Sequence, residues 1–195
     1  MIQFGRVVSE LGNSVSLESR TLENGTLLLG KVPHVGTKAY LHKIYAPLSN
    51  ESLSDLRKIL NREIPLVYCD FLHHANGLSI FSDSLALYGM RFNNKRDGDD
   101  IYQPYHLDIL NVKEPIKGSG ESCFYIGSYS ADGSRLYIDG ENGSVFRCSR
   151  NSPTPLNRWE TFEEMLFKEI ARIGALFGAD GKKVNPLVPT TPNES

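Results

Sequence analysis

Residues 126–150, IGSYSADGSRLYIDGENGSVFRCSR, alternate apolar and polar side chains, and small turn residues break the alternation twice. Asp132-Gly133 and Asn142-Gly143 are dipeptides that tight hairpins favour, because such turns need backbone angles that Gly, Asn and Asp reach with little strain. The stretch predicts a meander of three strands, roughly 123–130, 134–139 and 144–149. Phe124, Ile126, Leu136, Ile138, Val145 and Cys148 are the candidates for its core-facing side, with parity free to slip by one residue at a bulge. A sheet with an apolar face needs a second layer.

That layer is legible after the meander. Thr161-Phe162-Glu163-Glu164 has the form of a capping box. Phe162, Leu166, Ile170, Ile173 and Phe177 follow at spacings of four, four, three and four, an apolar stripe on one side of a helix. Trp159, just before it, is expected to pack with it on the sheet. Upstream, Ser52-Leu53-Ser54-Asp55 predicts a helix over about 53–62, with Leu53, Leu56, Ile59 and Leu60 on one side. Pro65 suits the first turn of a second helix, which carries Val67, Phe71, Leu72 and Ala75 and closes at Asn76-Gly77. LSIFSDSLALYGM reads as one or two strands, NNKRDGDD (93–100) as a charged loop, and YQPYHLDILNVKEP as holding a helical turn. The first 48 residues look β-rich, with a hairpin or short meander carried by VSLESRTLENGTLLLGKV and AYLHKIYAPL. The organisation expected is one domain over 1–177, with a β-rich N-terminal extension over about 1–48, and a Pro-rich flexible tail over 178–195.

Length and composition bound the function. A chain of 195 residues is long enough for one domain that buries about two thirds to three quarters of its unfolded surface. A formal net charge of -2 is too small for a nucleic-acid binder, and less acidic than a mimic of nucleic acid would often be. MIQFGRVVSELGNSVSLESR has no apolar run of the length that a secretory signal or membrane span requires, so a cytoplasmic protein without membrane contact is expected. Cys69, Cys123 and Cys148 form no C-x-x-C pair, and their odd number points to reduced thiols.

Motifs for catalysis or cofactor binding start and fail. Gly181-Lys182 is preceded five positions earlier by Leu176 and followed by Lys183, so no phosphate-cradling loop forms. Gly118-Ser119-Gly120 begins a dinucleotide-type run, yet Cys123 stands where its last glycine belongs. Asp97-Gly98-Asp99-Asp100 resembles the start of a calcium loop, but Ile101 and Tyr102 replace the next ligand and the turn glycine. His73 and His74 point about 100° apart on a helix and cannot share a metal, and no spacing links His34, His42 or His106 to a ligand set. Glu163 and Glu164 suit a first helical turn because they oppose its dipole. The expectation is no catalytic residue, no metal and no cofactor. A hydrolase with a dispersed site remains a different-class alternative, since a triad assembled from distant residues leaves no trace in sequence. Tyr88, Tyr102, Tyr105, Tyr125, Tyr129 and Tyr137 fit either a protein-binding face or ordinary strand positions.

The order of these parts resembles the SUKH superfamily, the group of Smi/Knr-type proteins. The matching positions are Asn76, Gly77, Leu87, Tyr88, Gly89, Ile126, Gly127, Asp139, Gly143, Val145, Phe162 and Leu166, within about residues 53–176. The resemblance implies an α+β fold, a curved and mainly antiparallel mixed sheet flanked by helices, and a role in binding proteins. Bacterial members of the superfamily are typically immunity proteins that neutralise polymorphic toxins, often nucleases, in the cytosol; eukaryotic members act as regulatory scaffolds. Neither group is known for catalysis. The partner implied is therefore a cognate protein toxin domain, with no direct contact to nucleic acid, and a non-catalytic scaffold of the same fold is the alternative. The surface nominated first is the charged loop Arg96, Asp97, Asp99 and Asp100 with Tyr102 and Tyr105. The second is Tyr129, Asp132, Asp139 and Glu141 at the meander ends.

Overall fold

The computed structural model describes residues 3–13 and 17–194. Expectations that touch residues 1–2, 14–16 and 195, including the start of the N-terminal strand run, lie outside the described residues. Among the described residues nine strands form one open sheet in sequential order, each antiparallel to the next. They are β1 (Arg20–Thr21), β2 (Leu27–Lys31), β3 (Tyr40–Ile44), β4 (Leu78–Ile80), β5 (Leu85–Leu87), β6 (Cys123–Tyr129), β7 (Arg135–Asp139), β8 (Val145–Cys148) and β9 (Pro155–Trp159). The helices are α1 (Phe4–Asn13), α2 (Asn50–Leu60), α3 (Leu66–His74) and α4 (Phe162–Gly174). This is an α+β fold. Among the described residues, parallel pairing is confined to a bridge between Gly89 and His106, outside the named strands.

The meander falls within a residue or two of its expected bounds. Its register explains the sequence pattern: Phe124 pairs with Ile138 and Gly127 with Leu136, so a bulge at Ile126 keeps positions three apart on one face. That face carries Phe124, Leu136, Ile138 and Val145 toward the helices. Cys148 pairs with Arg135 and belongs to the opposite face with Tyr137 and Phe146. It is buried all the same, because the segment between β5 and β6 covers that side. There Asn111 donates to the Tyr125 carbonyl (2.7 Å) and accepts from its amide (3.0 Å), while the Ser119 and Tyr125 hydroxyls meet at 2.7 Å.

On the helical side Phe162 packs against Tyr68 and Phe71, with ring centroids 5.6 and 5.3 Å apart, and Tyr68 packs against Phe124 at 6.2 Å. The stripe expected on α4 is buried at Phe162, Leu166, Ile170 and Ile173, and Phe177 packs against Phe81. Thr161 caps this helix, accepting from the Glu164 amide at 3.1 Å.

Several boundaries differ from the sequence reading. α2 starts a turn earlier than expected, since Ser49 rather than Ser52 is the cap, accepting from the Ser52 amide at 3.1 Å. Ile59 consequently faces solvent while Leu53, Leu56 and Leu60 are buried. The N-terminal region is not all β: Phe4, Val7, Val8 and Leu11 recur at helical spacing in α1, and Phe4 packs edge-on against Phe71 at 6.2 Å. β1 to β3 continue the main sheet rather than standing apart from it. β9 was unforeseen because its segment holds Pro153 and Pro155; a proline is tolerated at the start of an outermost strand.

The segment expected as a Pro-rich flexible tail lies against the domain instead. Lys183 bridges back to Phe177, and Thr190 and Thr191 are buried. Arg172 donates to the Thr190 carbonyl (2.6 Å), Arg147 to that of Pro192 (2.9 Å) and Asn157 to that of Asn193 (2.7 Å). The buried Arg147 guanidinium needs acceptors, and a main-chain carbonyl of the tail supplies one; Arg172 and Asn157, half-buried, bond to the tail in the same way.

Candidate partner interface

Five of the six tyrosines are buried structural residues; Tyr105 alone of them is exposed, at 51%. Tyr102 donates its hydroxyl to the Lys38 carbonyl (3.0 Å) and packs edge-on against Tyr40, in a small cluster with Leu22 and Leu28. Tyr129 is wholly buried and donates to Glu169 at 2.8 Å, the same carboxylate that Arg172 clasps. Both nominations to an exposed surface are thereby corrected. In each case a hydroxyl that sequence leaves at a wet rim finds an internal acceptor.

What remains of the charged loop is exposed. Arg96, Asp97 and Asp99 are solvent-facing and Asp100 half-buried. The loop is anchored through the middle of a short 3-10 turn, Gly98–Ile101: Asp99 pairs with Arg20 of β1 at 2.7 Å, and Asp100 accepts from Asn93 at 3.1 Å. Tyr105 lies apart from these contacts, its ring on that of Tyr88 at 5.1 Å and its carbonyl accepting from the Gly89 amide at 3.0 Å. Next to the loop a cleft of about 370 Å³ is lined by Glu23, Asp99, Asp100 and Phe92.

The meander-end residues do not come together. Asp132 and the pair Asp139 and Glu141 sit at opposite ends of β7, roughly 17 Å apart at about 3.4 Å per residue. Asp132 is bound by the buried Arg147 (2.8 Å) and by the Ser134 amide (2.8 Å). These bonds outweigh the desolvation that opposes them and hold its carboxyl below the usual range. Asp139 accepts from the Glu141 amide (3.0 Å) and Asn142 (2.8 Å), shaping the β7–β8 turn. Glu141 is exposed.

The positions matched to the superfamily are architectural. Asn76, 2% exposed, donates to the Met90 carbonyl (2.7 Å) and accepts from its amide (2.6 Å), acting as one more rung of main chain. A side chain on Gly89 would collide with Asn76, and one on Gly127 with the Ala86 carbonyl. Gly77 and Gly143 take positive φ, 85° and 76°. Tyr88 meets the Ser128 hydroxyl at 3.0 Å, and Phe162 and Leu166 fill the core. A family model described as SMI1 / KNR4 family (SUKH-1) matches residues 47–168. The chain belongs to the SMI1 / KNR4 family. No curated protein matches the sequence.

A further feature of this SUKH-1 chain was not nominated from sequence. α2 ends on Asn61 in the left-handed region (φ 49°), and the chain turns through Glu63 and Ile64 into α3, capped by Pro65. This leaves Leu66, at the start of α3, 85% exposed. Arg62 crosses to donate to the Glu121 and Cys123 carbonyls (2.7 and 3.1 Å), its guanidinium over the Phe124 ring at 5.1 Å. Between this corner and the β7–β8 turn runs a groove of about 620 Å³ over Phe124 and Ile138. Only an exposed Leu beside a proline marks it in the sequence, and that pattern is common in cores.

Among the described residues, no group of three or more His, Cys, Asp and Glu could hold a metal ion, and no helix is long and apolar enough to cross a membrane. Cys69, Cys123 and Cys148 are free thiols; burial pushes the Cys148 thiol up to about 11, which leaves it protonated and unreactive at neutral pH.

Proposed function

We propose that this chain is a bacterial, cytoplasmic immunity protein that binds a cognate polymorphic toxin, such as a nuclease, and neutralises it by covering its active site. Membership of the SMI1 / KNR4 family over residues 47–168 is the observation that carries this reading. Family members are generally non-catalytic, and the role needs neither turnover nor cofactor. It needs a rigid exposed surface, and a specific complex covers about 800 Å² on each partner. The charged loop suits that need: Arg96, Asp97 and Asp99 are exposed on a turn pinned to β1 through Arg20, with Asp100 half-buried beside them and Tyr105 the exposed tyrosine of the set. Its acids suit the basic cleft with which a nuclease holds its substrate, and such complementarity accelerates encounter and excludes wrong partners.

The test is affinity purification of the tagged protein from its native cells, with mass spectrometry of what survives a high-salt wash. One large multidomain chain is expected, whose C-terminal part kills cells unless this protein is present. Several proteins lost at modest salt would instead make the chain a scaffold. With the toxin in hand, reversing the charge of Asp97, Asp99 and Asp100 together should weaken the complex by about tenfold or more. Unchanged affinity would remove the loop from the interface.

A further inference from the structure

The groove between the α2–α3 corner and the β7–β8 turn has two properties that together select an occupant. Its rim is apolar where α3 begins: Leu66 is 85% exposed and continues into the half-buried Pro65 and Val67, so the apolar surface beside the concavity is contiguous. Its charge is one-sided. Glu63, Glu121 and Asp139 line it; Glu63, its side chain 92% exposed, has Arg57 at 3.6 Å, and Asp139 accepts from its own turn, so the lining carries a net negative charge with Glu121 as its least engaged acid. The single cation of the lining, Arg62, already donates to two main-chain carbonyls and lies over Phe124.

We infer that this groove is a second docking site, for a protein segment in which an aliphatic or aromatic side chain is flanked by lysine or arginine. The anchor would bury against Leu66 and the half-buried Pro65 and Val67 beside it, and the flanking cations would meet Glu63, Glu121 and Asp139. The segment belongs to a partner rather than to another copy of this chain, because two acidic rims brought face to face repel. The site lies at the end of the sheet formed by β6 to β8, whereas the charged loop is tied to β1, so its occupancy does not depend on the immunity reading.

The experiment uses the full-length nitrogen-15-labelled protein, titrated with an acetylated peptide of alternating lysine and leucine and, in parallel, with its counterpart carrying glutamate for lysine. The expected result is amide shifts confined to the neighbourhood of Leu66, Phe124 and Asp139, with the lysine peptide only, weakening as salt is raised. Leu66→Ser and the double variant Glu63→Lys/Glu121→Lys alter exposed side chains and should fold, as a dispersed spectrum checks; each is expected to weaken the peptide by about tenfold. No binding, equal binding of the glutamate peptide, shifts elsewhere, or unchanged affinity in the variants would overturn the inference. So would self-association by sedimentation that Leu66→Ser abolishes, since the groove would then hold a second copy. Loss of toxin binding is not a readout, so the outcome is separate from that of the proposed function.

Discussion

His42 lies in β3 with no exposed surface, its Nδ1 accepting from the Phe81 amide at 3.3 Å and its ring edge-on to Phe81. Burial pushes its pKa down to about 3. In the unfolded chain an imidazole protonates near pH 6.5, so as pH falls below about 6.5 the unfolded state takes up a proton that the folded state refuses. This contribution to stability is complete above that pH. It is lost as pH falls toward about 3, at about 1.4 kcal/mol per pH unit. His106, also lowered by burial, acts with the same sign. Urea titrations at about pH 7 and about pH 5.5 should show the decline, and His42→Gln should flatten the part that belongs to this residue. An unchanged slope would mean that His42 is protonated in the fold. The same scale explains why Asn76, Gly89 and Gly127 were legible as a pattern without a reason. A side-chain amide that imitates main chain, and two positions where a Cβ would strike a neighbour, acquire their meaning from atoms far away in sequence.

At the scale of elements, local signals worked where the sequence contains its own terminator. Thr161 caps α4 through the Glu164 amide, and Glu164 in turn accepts from the Glu160 amide at 2.7 Å. Thr161→Ala should cost about 1 kcal/mol, and Phe162→Ala, which empties a position 1% exposed, about 3–5 kcal/mol. Chemical denaturation reads both, and comparable losses would mean that the Phe162 site collapses on truncation. The cap of α2 was misplaced because Ser49 and Ser52 are both good caps, and the choice depends on which register buries Leu53, Leu56 and Leu60. α1 escaped notice because Val7 and Val8 are β-branched and suit strands locally; its helical form is favoured by packing against α3 and α4.

At the scale of the molecule, the tail closes the structure. Arg147 bonds Asp132, Ser134, Asn157 and the Pro192 carbonyl, and Arg172 bonds Glu169 and the Thr190 carbonyl. A chain ending at Val188 should lose about 1–3 kcal/mol through the lost bonds of the buried Arg147 and half-buried Arg172. Calorimetry would read this as a melting temperature lower by about 2–4 °C per kcal/mol. An unchanged melting temperature would mean that the tail adds nothing to stability. The sequence by itself determined the meander, the two central helices, the helix that covers the sheet, and the family, because turn dipeptides, caps and apolar periodicity are properties of adjacent residues. Only the tertiary structure decided that β1 to β3 and β9 extend one sheet, that Tyr102 and Tyr129 are internal, and that Asp132 and Asp139 stand apart. It also decided that an exposed Leu66 borders a groove. Each of these depends on which distant groups meet, and strand pairing and burial bring together residues that carry no mark of their neighbours in the chain.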